Sequence, residues 1–238
     1  MKGIILAGGA GSRLYPLTKI TNKHLLPVGK YPMIYYAIHK LRKADIRDIL
    51  IVTGREHMGD IVTLLGSGNE FDVNFSYKVQ DQPGGIAQAL GLARDFANGQ
   101  LMTVLLGDNV FADELAPYVR AFQKQGKGAK LLLKQVQDPK RYGVAEMEEN
   151  KIIRIEEKPS NPKSNFAVTG IYMYDCQVFD IIHTLKPSTR NEFEITDVNN
   201  AYIRQNELTF DILQGWWIDA GTHEALFQAN QLSQELDL

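Results

Sequence analysis

Gly3-Ile4-Ile5-Leu6-Ala7-Gly8-Gly9-Ala10-Gly11-Ser12-Arg13-Leu14 is an apolar run that gives way to three glycines within four positions and then to an arginine. A short stretch that is apolar throughout reads as a strand buried on both faces. The glycines after it let backbone N–H groups approach a phosphate or a base without interference from Cβ. Arg13 adds a planar, permanently charged fork suited to phosphate oxygens. Gly8, Gly9 and Gly11 do not fit G-x-G-x-x-G, and no Gly-Lys-Ser/Thr closes the loop, so it is neither the dinucleotide fingerprint nor a P-loop. The plain alternative is a tight strand–loop connection carrying a solvated arginine.

Outward from this loop, short β-branched runs alternate with amphipathic patterns. Strands are predicted at Gly3 to Ala7, Ile49 to Thr53, Phe75 to Val79, Met102 to Leu106 and Lys130 to Val136. Helical stripes separate them: Met33, Ile34, Ala37, Ile38 and Leu41; Met58, Ile61, Val62 and Leu65; Ile86, Ala89, Leu90, Ala93 and Phe96; Leu115, Tyr118, Val119 and Phe122. This order predicts an α/β fold with a Rossmann-like, doubly wound sheet, mostly parallel or mixed. Ligands of such sheets bind outside the carboxyl ends of the strands. From Tyr142 the rhythm changes to a β-rich second half. It holds a hairpin (Gly143 to Met147, Ile152 to Ile155), a strand Val168 to Tyr174 and a helix Val178 to Leu185. Then come a helix Phe193 to Ile203, a strand Leu208 to Ile218 and a last helix started by Thr222. One domain is expected over residues 1–238, with parts of about 1–137 and about 138–238.

The 238 residues are 44% hydrophobic and 23% charged, with a net charge of −2. Such a balance gives no general attraction to nucleic acid or anionic membranes, so neither is expected as a partner. A polyanionic ligand would need a local cluster of positive groups. No segment reaches about 18 uninterrupted apolar residues, and the first apolar run is too short for a signal peptide, so a cytoplasmic protein is expected. Its single cysteine, Cys176, excludes an intramolecular disulfide and is expected to be a buried structural thiol.

Four further stretches could carry chemistry. Lys23-His24-Leu25-Leu26-Pro27, with Lys19 and Lys30 nearby, makes a basic segment that could form a second phosphate clamp beside Arg13. Leu105-Leu106-Gly107-Asp108-Asn109 and Trp217-Ile218-Asp219-Ala220-Gly221 each put a carboxylate beside a glycine at a strand end. Carboxylates in such places are the hard ligands Mg²⁺ prefers, although a turn or cap aspartate is a common use too. In Ile155-Glu156-Glu157-Lys158-Pro159, alternation puts Glu157 on the inner side with Ile153 and Ile155, where sugar hydroxyls could partner it. The same alternation sends Lys158 the other way unless the chain twists before Pro159. The five histidines show no metal-ligand spacing, and acyl-transfer and zinc motifs are absent.

Taken together, these stretches resemble the nucleotide sugar pyrophosphorylases, above all their glucose-1-phosphate thymidylyltransferase group. The resemblance also rests on Gln80 before Gly84-Gly85-Ile86-Ala87-Gln88-Ala89, and on Arg141-Tyr142-Gly143-Val144 and Val168-Thr169-Gly170. Glu194-Ile195-Thr196-Asp197-Val198-Asn199 and Thr222-His223 complete it. It implies that Arg13, Lys23, Asp108 and Lys158 are catalytic. Leu6, Gly8, Gly9, Gly11, Ser12, Arg13, Lys23, Gln80, Gly85 and Asp108 would bind the nucleotide. Asn109, Gly143, Glu157, Lys158, Val168, Tyr172 and Arg190 would bind the sugar phosphate, and Asp108 with Asp219 would hold Mg²⁺. The expected reaction joins a sugar 1-phosphate to a nucleoside triphosphate, dTTP by the resemblance, and releases pyrophosphate.

UTP- or CTP-dependent transfer stays open at this level, as does a non-catalytic nucleotide-sugar-binding protein. An NAD(P)-dependent oxidoreductase fits the fold but not the loop spacing. Two departures stand out. His24 replaces the glutamine usual after the loop lysine, and the chain stops where many such enzymes continue into helices that build a regulatory nucleotide site. Absence or reduction of that site is expected, and the resemblance leaves room for a homo-oligomer.

Overall fold

In the computed structural model, which describes residues 1–236, the apolar runs become the strands of one nine-stranded sheet. In the first half, β1 (Lys2–Ala7) leads through three short turns to a ribbon of β2 (Pro27–Val28) and β3 (Tyr31–Pro32). Then follow α1 (Ile34–Lys43), β4 (Asp48–Gly54), α2 (Met58–Leu65) and β5 (Asn74–Gln80). Next come α3 (Ile86–Gly91), α4 (Arg94–Ala97), β6 (Met102–Leu106), β7 (Asn109–Phe111), α5 (Ala116–Gln125) and β8 (Ala129–Gln135). The expected helix through Ile86 and Phe96 is thus two, broken at Leu92-Ala93.

β1 is parallel to β4 and to β6, and β4 is parallel to β5. Successive side chains of β1 feed opposite cores, as the pleat requires. Ile4 and Leu6 pack with Ala87, Leu90 and Phe179 on one face, while Ile5 and Ala7 pack with Ile38, Leu41 and Phe122 on the other. Burial on both faces is why β1, β4 and β6 carry no polar alternation, whereas β5 at the sheet edge exposes Asn74, Ser76 and Lys78. At the end of α1, Lys40, Arg42 and Lys43 meet the negative end of the helix dipole.

The second half continues the same sheet with antiparallel strands. It comprises β9 (Gly143–Glu148), β10 (Lys151–Glu157), β11 (Phe166–Tyr174), α6 (Val178–Thr184), α7 (Ile195–Arg204), β12 (Leu208–Ile212), β13 (Trp217–Asp219) and α8 (His223–Leu232). β11 pairs β8 along one edge. Along the other it pairs β6 near its end and β9 near its start. Since Ile171 faces Leu105, the start of β11 runs past the carboxyl end of β6 and raises the β9–β10 hairpin above it. A register shift between Val168 and Tyr172 marks the changeover. A Cβ on Gly170 would lie 2.7 Å from both Asn109 and Leu106, so only glycine admits this crossing.

Three expectations need correction. Leu208 to Ile218 is not one strand: β12 runs parallel to β8 at the sheet edge, whereas β13 leaves to pair β7. Ile153 does not share the inner side with Ile155 and Glu157. A bulge between Ile152 and Arg154 shifts the alternation and leaves Ile153 exposed. Cys176 is exposed as well. The Asp175 carboxylate accepts from Gly128 N (2.6 Å) and Gln177 N (3.1 Å), which turns the chain out of the sheet just before the cysteine. Among the described residues, no helix is long and apolar enough to cross a membrane.

Candidate active site

Above the carboxyl edge of the parallel strands lies a cleft of about 380 Å³ between the two halves. At one end, the chain leaving β1 contributes Leu6, Gly8 and Gly9, and β5 delivers Gln80. Gly85 faces Gln80 from the start of α3, with φ at 94°. Gly11 and Ser12 do not line the cleft. Gly11, with φ at 61°, starts a turn over Ser12–Leu14 that is anchored by the buried Leu14, and Ser12 is exposed.

That turn delivers Arg13 to the cleft. Its Nη2 lies 2.8 Å from where a Cβ on Gly221 would stand, so the bare backbone at Gly221 makes room for the guanidinium. Arg13 makes no ion pair or hydrogen bond among the described residues. Opposite, Lys23 sits on a turn capped by Asn22, and its ammonium contacts Asp108. Asn22 Nδ2 donates to the Ala7 carbonyl (3.2 Å), which ties this turn to the end of β1. Asn22 Oδ1 accepts from the His24 backbone N–H (2.9 Å) and its ring Nδ1 (2.6 Å). His24 is fully buried. Burial, and then the Lys23 charge, lower its pKa to about 3 against the pull of Asp108, so the ring is neutral. Lys19 and Lys30 stay exposed, outside the cleft.

The two strand-end aspartates do meet. Asp219 closes β13 opposite Asn109 of β7, and Ala220 N donates to the Asp108 carbonyl (2.8 Å). Burial, and then the Asp108 charge, raise the Asp219 carboxyl above the usual carboxylate range. Burial would raise Asp108 as well, but the Lys23 charge, with hydrogen bonds from Lys23 and Asn109, overrides it and holds that carboxyl low. Asn109 locks the arrangement. Its Oδ1 accepts from Gly170 N (2.9 Å) and Trp217 Nε1 (2.7 Å), and its Nδ2 donates to Asp108 Oδ1 (3.0 Å). Among the described residues, no three His, Cys, Asp or Glu side chains converge on one point. Two adjacent carboxylates, the second raised by the first, are nevertheless a donor set that a hard divalent cation would neutralise.

The far end is built by the second half. Glu157 closes β10 and accepts from Thr196 Oγ1 (2.7 Å) and Arg190 Nη2 (3.3 Å). Lys158 does turn into the same cleft: its φ of 46° twists the chain just where alternation would have sent it away, and its Nζ lies 3.8 Å from Glu157. Arg190 also grips Glu194 through two bonds, at 3.1 and 2.7 Å. Gly143, Val168 and Tyr172 complete the wall, and burial followed by Glu157 keeps the Tyr172 hydroxyl protonated. Thr196, Glu194, Tyr142, Arg141 and Trp217 also line the cleft. They stood in the motifs quoted above without a role, because nothing local shows that a helix-start threonine will face a carboxylate thirty-nine positions away.

A neutral recess at Gln80 and Gly85, with Arg13, Lys23, Lys158 and Arg190 lining the same cleft, can align two phosphate-bearing ligands. The family described as Nucleotidyl transferase matches residues 2–235. A glucose-1-phosphate thymidylyltransferase of Neisseria meningitidis serogroup A is 44% identical over 98% of this chain and 83% of its own length. One of Mycolicibacterium smegmatis is 41% identical over 100% and 84%. A solved chain from Bacillus anthracis, assigned as a glucose-1-phosphate thymidylyltransferase and in complex with sucrose, is 60% identical. It has a TM-score of 0.97 and covers 100% of this chain and 97% of its own. A UDP-glucose pyrophosphorylase complexed with UDP-glucose is 25% identical, with a TM-score of 0.85 over 98% of each chain.

Proposed function

Because this chain belongs to the nucleotidyl transferase family, we propose that its cleft joins glucose 1-phosphate, or a related sugar 1-phosphate, to dTTP with Mg²⁺. The products are a dTDP-sugar and pyrophosphate. The observation that carries this reading is that Arg13, Lys23, Asp108 and Asp219 line one cleft together with Gln80 and Gly85 and with Glu157, Lys158 and Arg190. The base would sit against Gln80 and Gly85, the triphosphate along Gly8, Gly9, Arg13 and Lys23, and the sugar against Gly143, Glu157, Val168 and Tyr172.

The sugar phosphate brings its own nucleophilic oxygen, so no general base is needed, and catalysis rests on alignment and on meeting charge. Lys158 and Arg190 hold the sugar phosphate for in-line attack on the α-phosphorus. Arg13 and Lys23 face the negative charge that passes to the leaving pyrophosphate. Asp108 and Asp219 would hold Mg²⁺, whose contribution when bound is to neutralise phosphate charge at the reacting centre. The cytoplasm, where nucleoside triphosphates are made, is the compartment that suits such substrates. UTP is the second reading, favoured by the likeness to the UDP-glucose complex.

Pyrophosphate release measured across a grid of nucleoside triphosphates and sugar 1-phosphates tests the proposal. dTTP or UTP with glucose 1-phosphate should lead. Turnover as fast or faster with ATP or GTP removes the base assignment.

A further inference from the structure

A glutamine amide has two ends of nearly equal size, and its neighbours decide which end faces where. Gln80 is 9% exposed, and its Nε2 lies 3.2 Å from the Gly85 carbonyl and 2.8 Å from Gln88 Oε1. A backbone carbonyl only accepts, so the Gln80 end that faces it is the NH₂. The orientation of Gln88 is fixed in the same way. Its Oε1 lies 3.0 Å from Gly84 N, a backbone N–H that only donates. Gly84 allows this approach because a Cβ there would stand 2.4 Å from the Gln88 amide. Turning either glutamine over would set oxygen against oxygen or N–H against N–H. The chain from Gly84 N–H through Gln88 to Gln80 therefore leaves Gln80 Oε1 as the end directed elsewhere. It points to Gly8, where a Cβ would lie 2.9 Å from it and where the backbone lines the cleft.

We propose that Gln88, which does not itself line the cleft, selects the nucleobase by holding Gln80 with its carbonyl oxygen presented as an acceptor. The inference rests on the nucleotidyl-transfer reading above and adds the residue that enforces base choice. Thymine and uracil carry an N–H at N3 and match a fixed acceptor. Cytosine has a bare lone pair at N3 and meets the same oxygen with like polarity. In a buried site an unmatched polar pair is costly, and a site built around one hydrogen bond rejects the analogue that lacks it. Were Gln80 free to turn, its NH₂ could serve cytosine instead. Gln88 is thus a positioning residue acting through Gln80, not a contact residue.

The test uses dUTP and dCTP, which differ only at N3 and C4, with glucose 1-phosphate and Mg²⁺ in the forward direction. The quantity read is the ratio of their kcat/KM values, in which any loss of folded enzyme cancels. The wild type should prefer dUTP by at least about a hundredfold. Gln88→Leu removes the acceptor and should lower that ratio by about tenfold or more. Gln88→Glu keeps acceptor oxygens for both Gly84 N–H and the Gln80 NH₂, and should keep the ratio. A Gln88→Leu enzyme that discriminates within about threefold of the wild type overturns the inference while leaving the function intact. Equal loss of discrimination in Gln88→Leu and Gln88→Glu overturns it as well. A wild type that turns over no pyrimidine triphosphate removes the function and this inference together.

Discussion

Arg13 and His24 show two ways in which one side chain can serve the cleft. Among the described residues Arg13 makes no hydrogen bond or ion pair, so its guanidinium is ready for phosphate oxygens, and Gly221 leaves it the space. Charge grows on the leaving pyrophosphate as the bond to the α-phosphorus breaks, and a fixed fork meets it with little reorganisation. Arg13→Ala should lower kcat by about 10²–10³, roughly 2.7–4 kcal/mol, with a modest rise in KM for glucose 1-phosphate. Arg13→Lys should fall between, since it keeps the charge and loses the fork. An Arg13→Ala enzyme within about threefold of the wild-type kcat would show a solvated loop charge. His24 serves by remaining neutral. Its folded pKa of about 3 lies below the unfolded 6.5, so between those values the unfolded chain binds a proton that the folded chain refuses. Stability is complete above the unfolded value and declines as pH falls through that window, by roughly 1.4 kcal/mol per pH unit. At pH 5 His24 alone accounts for about 2 kcal/mol. Urea unfolding at pH 7 and pH 5 should therefore show a smaller acid loss in His24→Gln than in the wild type. Identical losses would mean that the imidazole titrates in the folded state.

At the scale of elements, what the sequence shows is periodicity, and what it hides is where periodicity is interrupted. The buried strands and the stripe of α1 were legible because every turn of the pattern repeats one burial decision. The inner placement of Glu157 was legible too, but its partner Ile153 was not, since a one-residue bulge erases alternation. The split of β12 from β13 depends on distant groups. Lys134 Nζ donates to the carbonyls of Leu213 (3.1 Å), Gln214 (3.3 Å) and Gly215 (2.6 Å). Asp113 accepts from Gln214 N (2.9 Å) and Gly215 N (2.6 Å). These clamps turn the chain away from β8 and carry Asp219 to the cleft. The next element starts where expected: Thr222 Oγ1 accepts from Ala225 N (3.2 Å) and caps α8. Thr222→Ala should cost about 1 kcal/mol and lower the melting temperature by roughly 2–4 °C. A melting temperature that does not move would show that the cap contributes nothing and that packing of Leu226 and Ala229 alone holds the helix.

The whole molecule places its chemistry where its two halves meet. Asp108 follows β6 of the first half, while Asp219 comes from β13 of the second, which pairs β7 with Asp219 opposite Asn109. The sequence showed two strand ends of the right kind; the fold shows that one backbone bond, Ala220 N to the Asp108 carbonyl, sets them side by side. Asp219 is raised by burial and by the Asp108 charge, and the nearby Lys23 and Arg13 charges oppose that rise without cancelling it. Two adjacent carboxylates with a strained charge balance are what a shared divalent cation would relieve. If both hold one Mg²⁺, removing either dismantles the same site. Asp108→Asn and Asp219→Asn, which keep shape and lose charge, should each lower kcat/KM steeply. The double variant should then fall little below the weaker single one, with a large coupling term in ΔΔG‡. Calorimetric titration with Mg²⁺ in the presence of dTTP should lose its metal-dependent heat in either single variant. Removing the raised Asp219 charge should leave the metal-free melting temperature unchanged or higher, since that carboxylate opposes folding at neutral pH. Lost activity with retained stability would separate metal binding from collapse of the ribbon. A double variant whose loss equals the full sum of the two singles would show two aspartates with independent tasks, and the shared-ion reading would fall.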